Sequence, residues 1–322
     1  PDYLIYAPDS YTLSEPNALL LDYARASLNG GPVSERTEIL RLDNEIRAQL
    51  GFPMRQYSFI QPWRIKEEGK TGNTVTLYYE FESTIMLNKA SLAMERPEDA
   101  VIALNGTIVP AKITGFYVDK FIRTIELPGI HIGLNRLEIT LPFSRKTNLE
   151  NIYILGNFGV QLAGTSAKIV SLDESLQFGD ITRQGLPFYT GNVTYRFMVE
   201  TRNENQQLLI GVPHFSAPVL AVSVDGEEAG LIAFAPHTIK TKPLPAGSHI
   251  IEICLYGNRF NGFGTLHNAN DEYKWYGPDS YRTMGSQWTE SYCVRPVGIL
   301  SRIEIYKCVE DHFERLENIW DD

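Results

Sequence analysis

Gly133-Leu-Asn-Arg-Leu-Glu-Ile139 and Ala246-Gly-Ser-His-Ile-Ile-Glu-Ile253 are the stretches whose reading decides the fold. In each, a glycine turn launches a run of alternating apolar residues that ends in Glu-Ile. Alternation with a period of two marks a strand with one buried face. Upstream of each run sits a hairpin dipeptide between apolar residues, in Ala103-Leu-Asn-Gly106 and in Ser223-Val-Asp-Gly226. Asn-Gly and Asp-Gly are strong hairpin signals because both central residues of a type I′ turn need positive φ. Further upstream in each copy lies another alternating run, Val75 to Phe81 and Val193 to Val199. The repeated order of run, turn and run predicts a duplicated module.

Outward from these runs, Ala100 to Leu104, Arg123 to Leu127 and Gly298 to Tyr306 also read as strands, broken by Gly, Pro and Asn at short intervals. The fold class expected is mainly β, with two tandem jelly-roll β-sandwich domains after a short N-terminal segment containing one helix. The N-terminal segment is placed at 1–55, the first sandwich at 56–165 and the second at 166–322. In the N-terminal segment, Asn17 to Tyr23 reads as a buried strand or extended piece. A helix is expected over about 35–50, with Ser34 as N-cap, Ile39, Leu42, Ile46 and Leu50 on one face, and Gly51 and Pro53 after its end. Phe313 to Ile319 reads as a second helix and Gly69 to Gly72 as a hairpin turn.

The 322 residues suit two domains, and 43% hydrophobic content is that of a globular protein. A net charge of −10 argues against nucleic acid and anionic lipid as partners. No apolar run approaches a membrane span and no signal peptide is visible. The chain opens Pro1-Asp2-Tyr3 without an initiator Met, so a processed or excised piece is expected. Cys254, Cys293 and Cys308 fit no zinc spacing and read as buried or free thiols. No cofactor is expected. The sequence leaves room for a structural Ca²⁺, but no acidic loop has the spacing to place one.

Leu-Asn-Gly followed by Gly-Leu-Asn-Arg-Leu-Glu-Ile resembles the sugar-binding jelly-roll (galactose-binding-like) modules of β-galactosidase-like and β-glucuronidase-like glycoside hydrolases. The stretch Gly257 to Asn268 resembles the segment after the corresponding strand, and Asn17 to Gly31 resembles the approach to such modules in α-L-rhamnosidase-like enzymes. The resemblance spans roughly residues 70 to 306. It implies an accessory region whose catalytic carboxylates lie on a separate barrel, and no stretch here resembles that barrel. The partner expected is a glycan or the catalytic domain of the parent protein. Purely structural modules and a surface adhesin are the alternatives.

No residue pair stands out as catalytic. Acidic residues are too numerous to single out a glycosidase pair, and there is no nucleophile elbow or phosphate loop. The segment 257–295 differs from the rest, with aromatics set among polar side chains and little alternation. Aromatic faces cover the apolar side of a sugar, while amides, imidazole and guanidinium bond its hydroxyls. Asn258, Arg259, His267, Asn268, Trp275, Tyr276 and Trp288 are therefore the candidate carbohydrate-binding residues. Packing on another domain or local core would use the same composition. A weaker candidate, Phe116 to Asp119 with Phe121, is matched in the second copy by Phe234 to His237, and both are expected to be duplicated core.

Overall fold

The computed structural model describes residues 1–55, 72–270 and 277–308, with the side chains of Pro278 and Asp279 left aside. The Gly69 to Gly72 turn, apart from Gly72, and the Phe313 to Ile319 helix lie outside the described residues. The chain is mainly β and forms two compact units. The first module comprises Pro16–Leu172 and Gly262–Val294. The second comprises Pro1–Glu15, Asp173–Asn261 and the chain from Arg295.

In the first module, one sheet runs in the order Ile113–Tyr117, Asp119–Leu127, Ala90–Glu95, Ile152–Gly156, Asn17–Leu21. The other runs Gly159–Ala163, Ser166–Val170, Thr74–Ser83, Gly133–Pro142, Val101–Leu104, Thr107–Val109, with Tyr23–Leu28 also on Thr74–Ser83 and Thr37–Glu38 beyond it. Alternation sends Val75, Leu77, Tyr79 and Phe81 inward from one central strand, and Leu137 and Ile139 from its neighbour. Each such side chain contributes about 1.5–3 kcal/mol by leaving water. All five residues of Asn17–Leu21 are buried, which explains a run without alternation.

The second module has a five-stranded sheet, Ser10–Leu13, Val193–Thr201, Gly247–Leu255, Leu220–Val224, Glu227–Ile232. Its four-stranded sheet runs Tyr3–Ile5, Ile303–Cys308, Gln207–Gly211, Thr238–Lys240. Val193, Tyr195, Phe197 and Val199 face inward, as do Ile251, Ile253 and Leu255 of the next strand. The strand expected over Gly298 to Tyr306 is interrupted, as Gly298–Ile299 and Ile303–Cys308.

The duplication extends to single atoms. Gly133 pairs with Ser83 and Asn135 with Phe81; Gly247 pairs with Thr201 and His249 with Val199, in the same register. The turn residues Asn105 and Asp225 have φ of 51° in both copies. Asn105 Oδ1 accepts from Arg136 N at 2.8 Å, and Asp225 Oδ1 accepts from Ile250 N at 2.8 Å. Each turn is then clamped by the residue at the start of the following strand. Asn105 Nδ2 donates to Asn135 Oδ1 at 2.9 Å in the first module. In the second, His249 Nδ1 meets Asp225 Oδ2 at 2.7 Å while its Nε2 meets the Pro245 carbonyl at 2.9 Å. One site is thus neutral and the other ionic.

This substitution makes only the second clamp pH-sensitive. Burial pulls the His249 pKa down, but the Asp225 hydrogen bond and the Pro245 carbonyl outweigh it and the net shift is upward from 6.5. The His249 hydrogen bond pulls Asp225 below 3.8. A raised histidine contributes stability that is complete below its unfolded value and lost as pH rises through its folded one. A lowered aspartate contributes stability that is lost as pH falls through its own folded value. The clamp is therefore strongest between about pH 4 and 6.5. Asp225→Asn with His249→Asn, which copies the first module, should flatten this dependence and cost about 1 kcal/mol at pH 5, since the carboxylate is half exposed. Thermal unfolding of the second module across pH is the measurement, and an unchanged profile would rule the clamp out as its source.

Three departures from the sequence reading have physical causes. The helix is Ile39–Gln49 and its N-cap is Glu38, whose carboxylate accepts from Arg41 N at 3.1 Å. Ser34 does not cap it, because Thr37–Glu38 is drawn into pairing with Tyr23–Ala24 and Ser34 Oγ accepts from Ala26 N. Of the aromatic stretches expected as core, Tyr117 is buried but the phenylalanines are exposed: Phe116 at 57%, Phe121 at 73% and Phe234 at 86%. Tyr117 takes the inward position of its strand, against Tyr153 and Phe263, so Phe116 points out. Lastly, residues 1–55 form no segment of their own. Tyr3–Ile5 and Ser10–Leu13 complete sheets of the second module, Asn17–Leu21 and Tyr23–Leu28 those of the first. Most of the 257–295 stretch, from Gly262 to Val294, groups with the first module rather than the second.

Candidate functional site

The candidate binding residues separate. Asn258 and Arg259 belong to the second module, where Asn258 Oδ1 accepts from Phe260 N at 3.0 Å. Arg259 pairs with Glu15 and donates to Thr190 Oγ1 at 3.1 Å, fastening the N-terminal strands to their module. Trp275 and Tyr276 lie outside the described residues. His267, Asn268 and Trp288 come together in the first module, on the segment Gly262–Val294.

This segment doubles back on itself. Thr289 N donates to His267 O at 2.9 Å, Cys293 N to Leu266 O at 2.7 Å and Ala269 N to Gln287 O at 2.9 Å. The module's own side chains then hold it. Tyr153 Oη donates to Gly262 O and Tyr23 Oη to Glu290 O, each at 2.9 Å. Arg41, on the first turn of the helix, donates to Thr283 O, and Thr283 Oγ1 donates to Asn268 Oδ1 at 2.9 Å.

At the centre is Asp22, which follows the buried strand Asn17–Leu21 and is 3% exposed. Its Oδ1 accepts from Tyr292 Oη at 2.6 Å, and its Oδ2 faces His267 Nε2 at 2.9 Å. His267 Nδ1 faces the Thr289 carbonyl at 2.9 Å. Both ring nitrogens thus face groups that only accept, so the form that satisfies both is the imidazolium. Beside them, burial pushes the Glu38 carboxyl up to about 7, and Asp22 adds to this against the backbone N–H groups of Leu40 and Arg41. Burial, with Asp22 and Glu38, likewise lifts the Tyr79 hydroxyl.

Trp288 is half-buried and meets two basic side chains. The Arg41 guanidinium sits 3.6 Å from its ring centre, and the His267 ring packs at 4.8 Å with a 33° tilt. Such contacts use the face of the indole. The cavity beside them, lined by Asp22, Glu38, Asn151, His267, Ser280 and Trp288 among others, measures about 20 Å³. That is the space of roughly one water molecule. A sugar ring is many times larger. Among the described residues, no group of three or more His, Cys, Asp or Glu side chains is placed to hold a metal ion, and no helix is long and apolar enough to cross a membrane.

Sequence reasoning singled out His267, Asn268 and Trp288 but missed Asp22, Glu38 and Arg41, which organise them. The available signals were a lone acid closing the four-residue apolar run Ala18 to Leu21 and an acid directly before a helix.

No family model and no curated protein matches this chain. Similar solved structures include a rhamnosidase from Novosphingobium, at 13% identity over 75% of this chain, with a TM-score of 0.30. A GH2 β-galacturonidase from Eisenbergiella tayi shares 9% identity over 75% of the chain, at 0.28, and a β-D-mannosidase from Dictyoglomus thermophilum 11% over 74%, at 0.28. The likeness to these glycoside hydrolases is a coarse one of β architecture. The chain spans 23%, 37% and 31% of their respective lengths.

Proposed function

We propose that this chain is a non-catalytic accessory region of a larger carbohydrate-active protein, acting as a scaffold, with Gly262–Val294 as a structural strap rather than a sugar cleft. One observation carries the choice of scaffold over glycan grip: Arg41 and His267 of the same module both pack on the half-buried Trp288 ring. The connection to carbohydrate-active proteins rests on the paired turn-and-strand motifs at Asn105-Gly106 and Gly133 to Ile139 and their second copy. The exposed Phe116, Phe121 and Phe234 suit a module that rests against other protein, since apolar surface left open commonly marks a contact.

A glycan array followed by calorimetry on the purified chain tests this reading. The expected result is no binding that Trp288→Ala weakens, with a fall in thermal stability of the first module instead. Binding lost on Trp288→Ala without a stability change would return the segment to sugar recognition. Loss confined to Trp275→Ala or Tyr276→Ala would make the chain a carbohydrate-binding module at those residues. Hydrolysis of aryl glycosides abolished by one carboxylate substitution would end the non-catalytic reading.

A further inference from the structure

We infer that the chain Asp22–His267–Thr289 is an alkaline-release latch, which fastens Gly262–Val294 to its module while the imidazole carries two protons and frees it when one is lost. The inference rests on the strap reading of that segment and adds its regulation. The argument begins with geometry. His267 is 7% exposed, and its two ring nitrogens lie 2.9 Å from a carboxylate oxygen and 2.9 Å from a backbone carbonyl. The carbonyl has no proton to offer, and neither has an ionised carboxylate. A neutral ring would therefore point a lone pair at an acceptor, and at this burial water cannot readily take the place of the lost bond. One of the two bonds must open. The Thr289 bond ties the ring to the return arm of the segment, and the Asp22 bond ties the ring to the sheet.

The surrounding charges oppose one another, and the carboxylates prevail. From the sheet side, Asp22, Tyr23 and Tyr79 face the cluster; from the start of the helix, Glu38, Arg41 and Arg36; from the segment itself, Tyr292 and Glu290. Arg36 lies over the Tyr23 ring at 4.3 Å and Arg41 over Trp288, so each cation is already engaged by an aromatic face. Burial lowers the His267 pKa, but the Asp22 hydrogen bond and charge, Glu38 and the Thr289 carbonyl outweigh it, and the net shift is upward from 6.5. Glu38 is raised to about 7. A group with a raised folded pKa, acid or base, loses stability as pH rises through that value. Ionised Glu38 and the imidazolium favour each other, so the two groups titrate as a coupled pair. Loss of the imidazolium proton leaves both carboxylates without that counter-charge, which weakens the latch as pH rises.

Amide hydrogen exchange on the full chain, corrected for intrinsic base catalysis, reads the latch directly. The amides of Thr289 and Cys293, bonded to His267 O and Leu266 O, should open about tenfold more at pH 9 than at pH 6, while those of Thr74–Ser83 stay protected. The midpoint should follow the His267 ring titration seen by NMR. His267→Gln, which cannot titrate, should be open at both pH values with no step at that midpoint. Asp22→Asn should move the step to lower pH. A flat wild-type profile with both amides protected throughout would overturn the latch and leave the strap intact. Thr289 and Cys293 amides unprotected even at pH 6 would overturn both. A step that persists at the same pH in His267→Gln would also refute the latch.

Discussion

Replacing Asp22 by alanine is expected to cost the first module about 3–5 kcal/mol, enough to lower its melting temperature by about 10 °C. The side chain is buried and serves two donors, the Tyr292 hydroxyl and the His267 imidazolium. Removing it strands a buried phenol and, worse, a buried cation. The imidazolium would respond by losing its Nε2 proton, which keeps the Nδ1–H bond to Thr289 but leaves the ring without its tie to the sheet. Asp22→Asn separates charge from shape: it retains an acceptor for one donor and should cost less, about 1–3 kcal/mol. The chain has two modules, so one unfolding free energy would be ill-defined. Calorimetry that resolves two transitions, with only the first module's transition moved, is the appropriate measurement. Equal costs for Asp22→Ala and Asp22→Asn would show that the lost charge, which both substitutions share, carries the whole effect.

What the sequence made legible were the features that local chemistry decides. Alternation in Val75 to Phe81 and Gly133 to Ile139 needs only a buried face, and the Asn105 and Asp225 turns need only a residue that tolerates positive φ. Hence both modules could be read. The strap could not, because its partners lie far off along the chain. Asp22 meets His267 and Tyr292 across 245 and 270 residues, and no local pattern encodes such a pairing. The same limit explains Trp288. An indole among amides and an arginine looks like a sugar platform by composition, and only the fold shows that Arg41 and His267 occupy it. Ser34 erred in the opposite way. It is the better intrinsic cap, but pairing of Thr37–Glu38 with Tyr23–Ala24 delays the helix until Glu38 is the residue in place. The Phe116 stretch shows a further limit. One inward aromatic and one outward aromatic adjacent in sequence look alike until the strand's facing is known.

Arg47→Ala is expected to have an effect as large as that of Asp22→Ala, about 3–5 kcal/mol, through a different cluster. Arg47 is 1% exposed near the end of the helix, and its Nε bonds Asp43 one turn earlier at 2.7 Å. Its other nitrogens donate to the carbonyls of Arg145 and Thr147, so the guanidinium pins the helix to the loop after Gly133–Pro142. Arg55 donates to the same Thr147 carbonyl at 2.9 Å and lies 3.6 Å from Asp43, and burial together with Arg47 pulls its pKa down to about 10. One carboxylate therefore stands between two buried cations. Loss of Arg47 leaves Asp43 with Arg55, whereas Asp43→Ala leaves two like charges facing each other with only Glu150 near Arg55, a carboxyl that burial pushes up to about 7. Asp43→Ala should for that reason be the more damaging of the two. Arg47→Lys should not rescue, because an ammonium cannot reach the carboxylate and two carbonyls at once. Asp43→Leu combined with Arg47→Met should recover part of the loss, since an apolar pair removes the desolvation that the ions incur. Urea unfolding of the wild type, Asp43→Leu, Arg47→Met and the double variant, as a double-mutant cycle, gives the coupling. Strictly additive losses would mean that the helix is held by packing of the arginine stem against Phe143 rather than by the charges it carries.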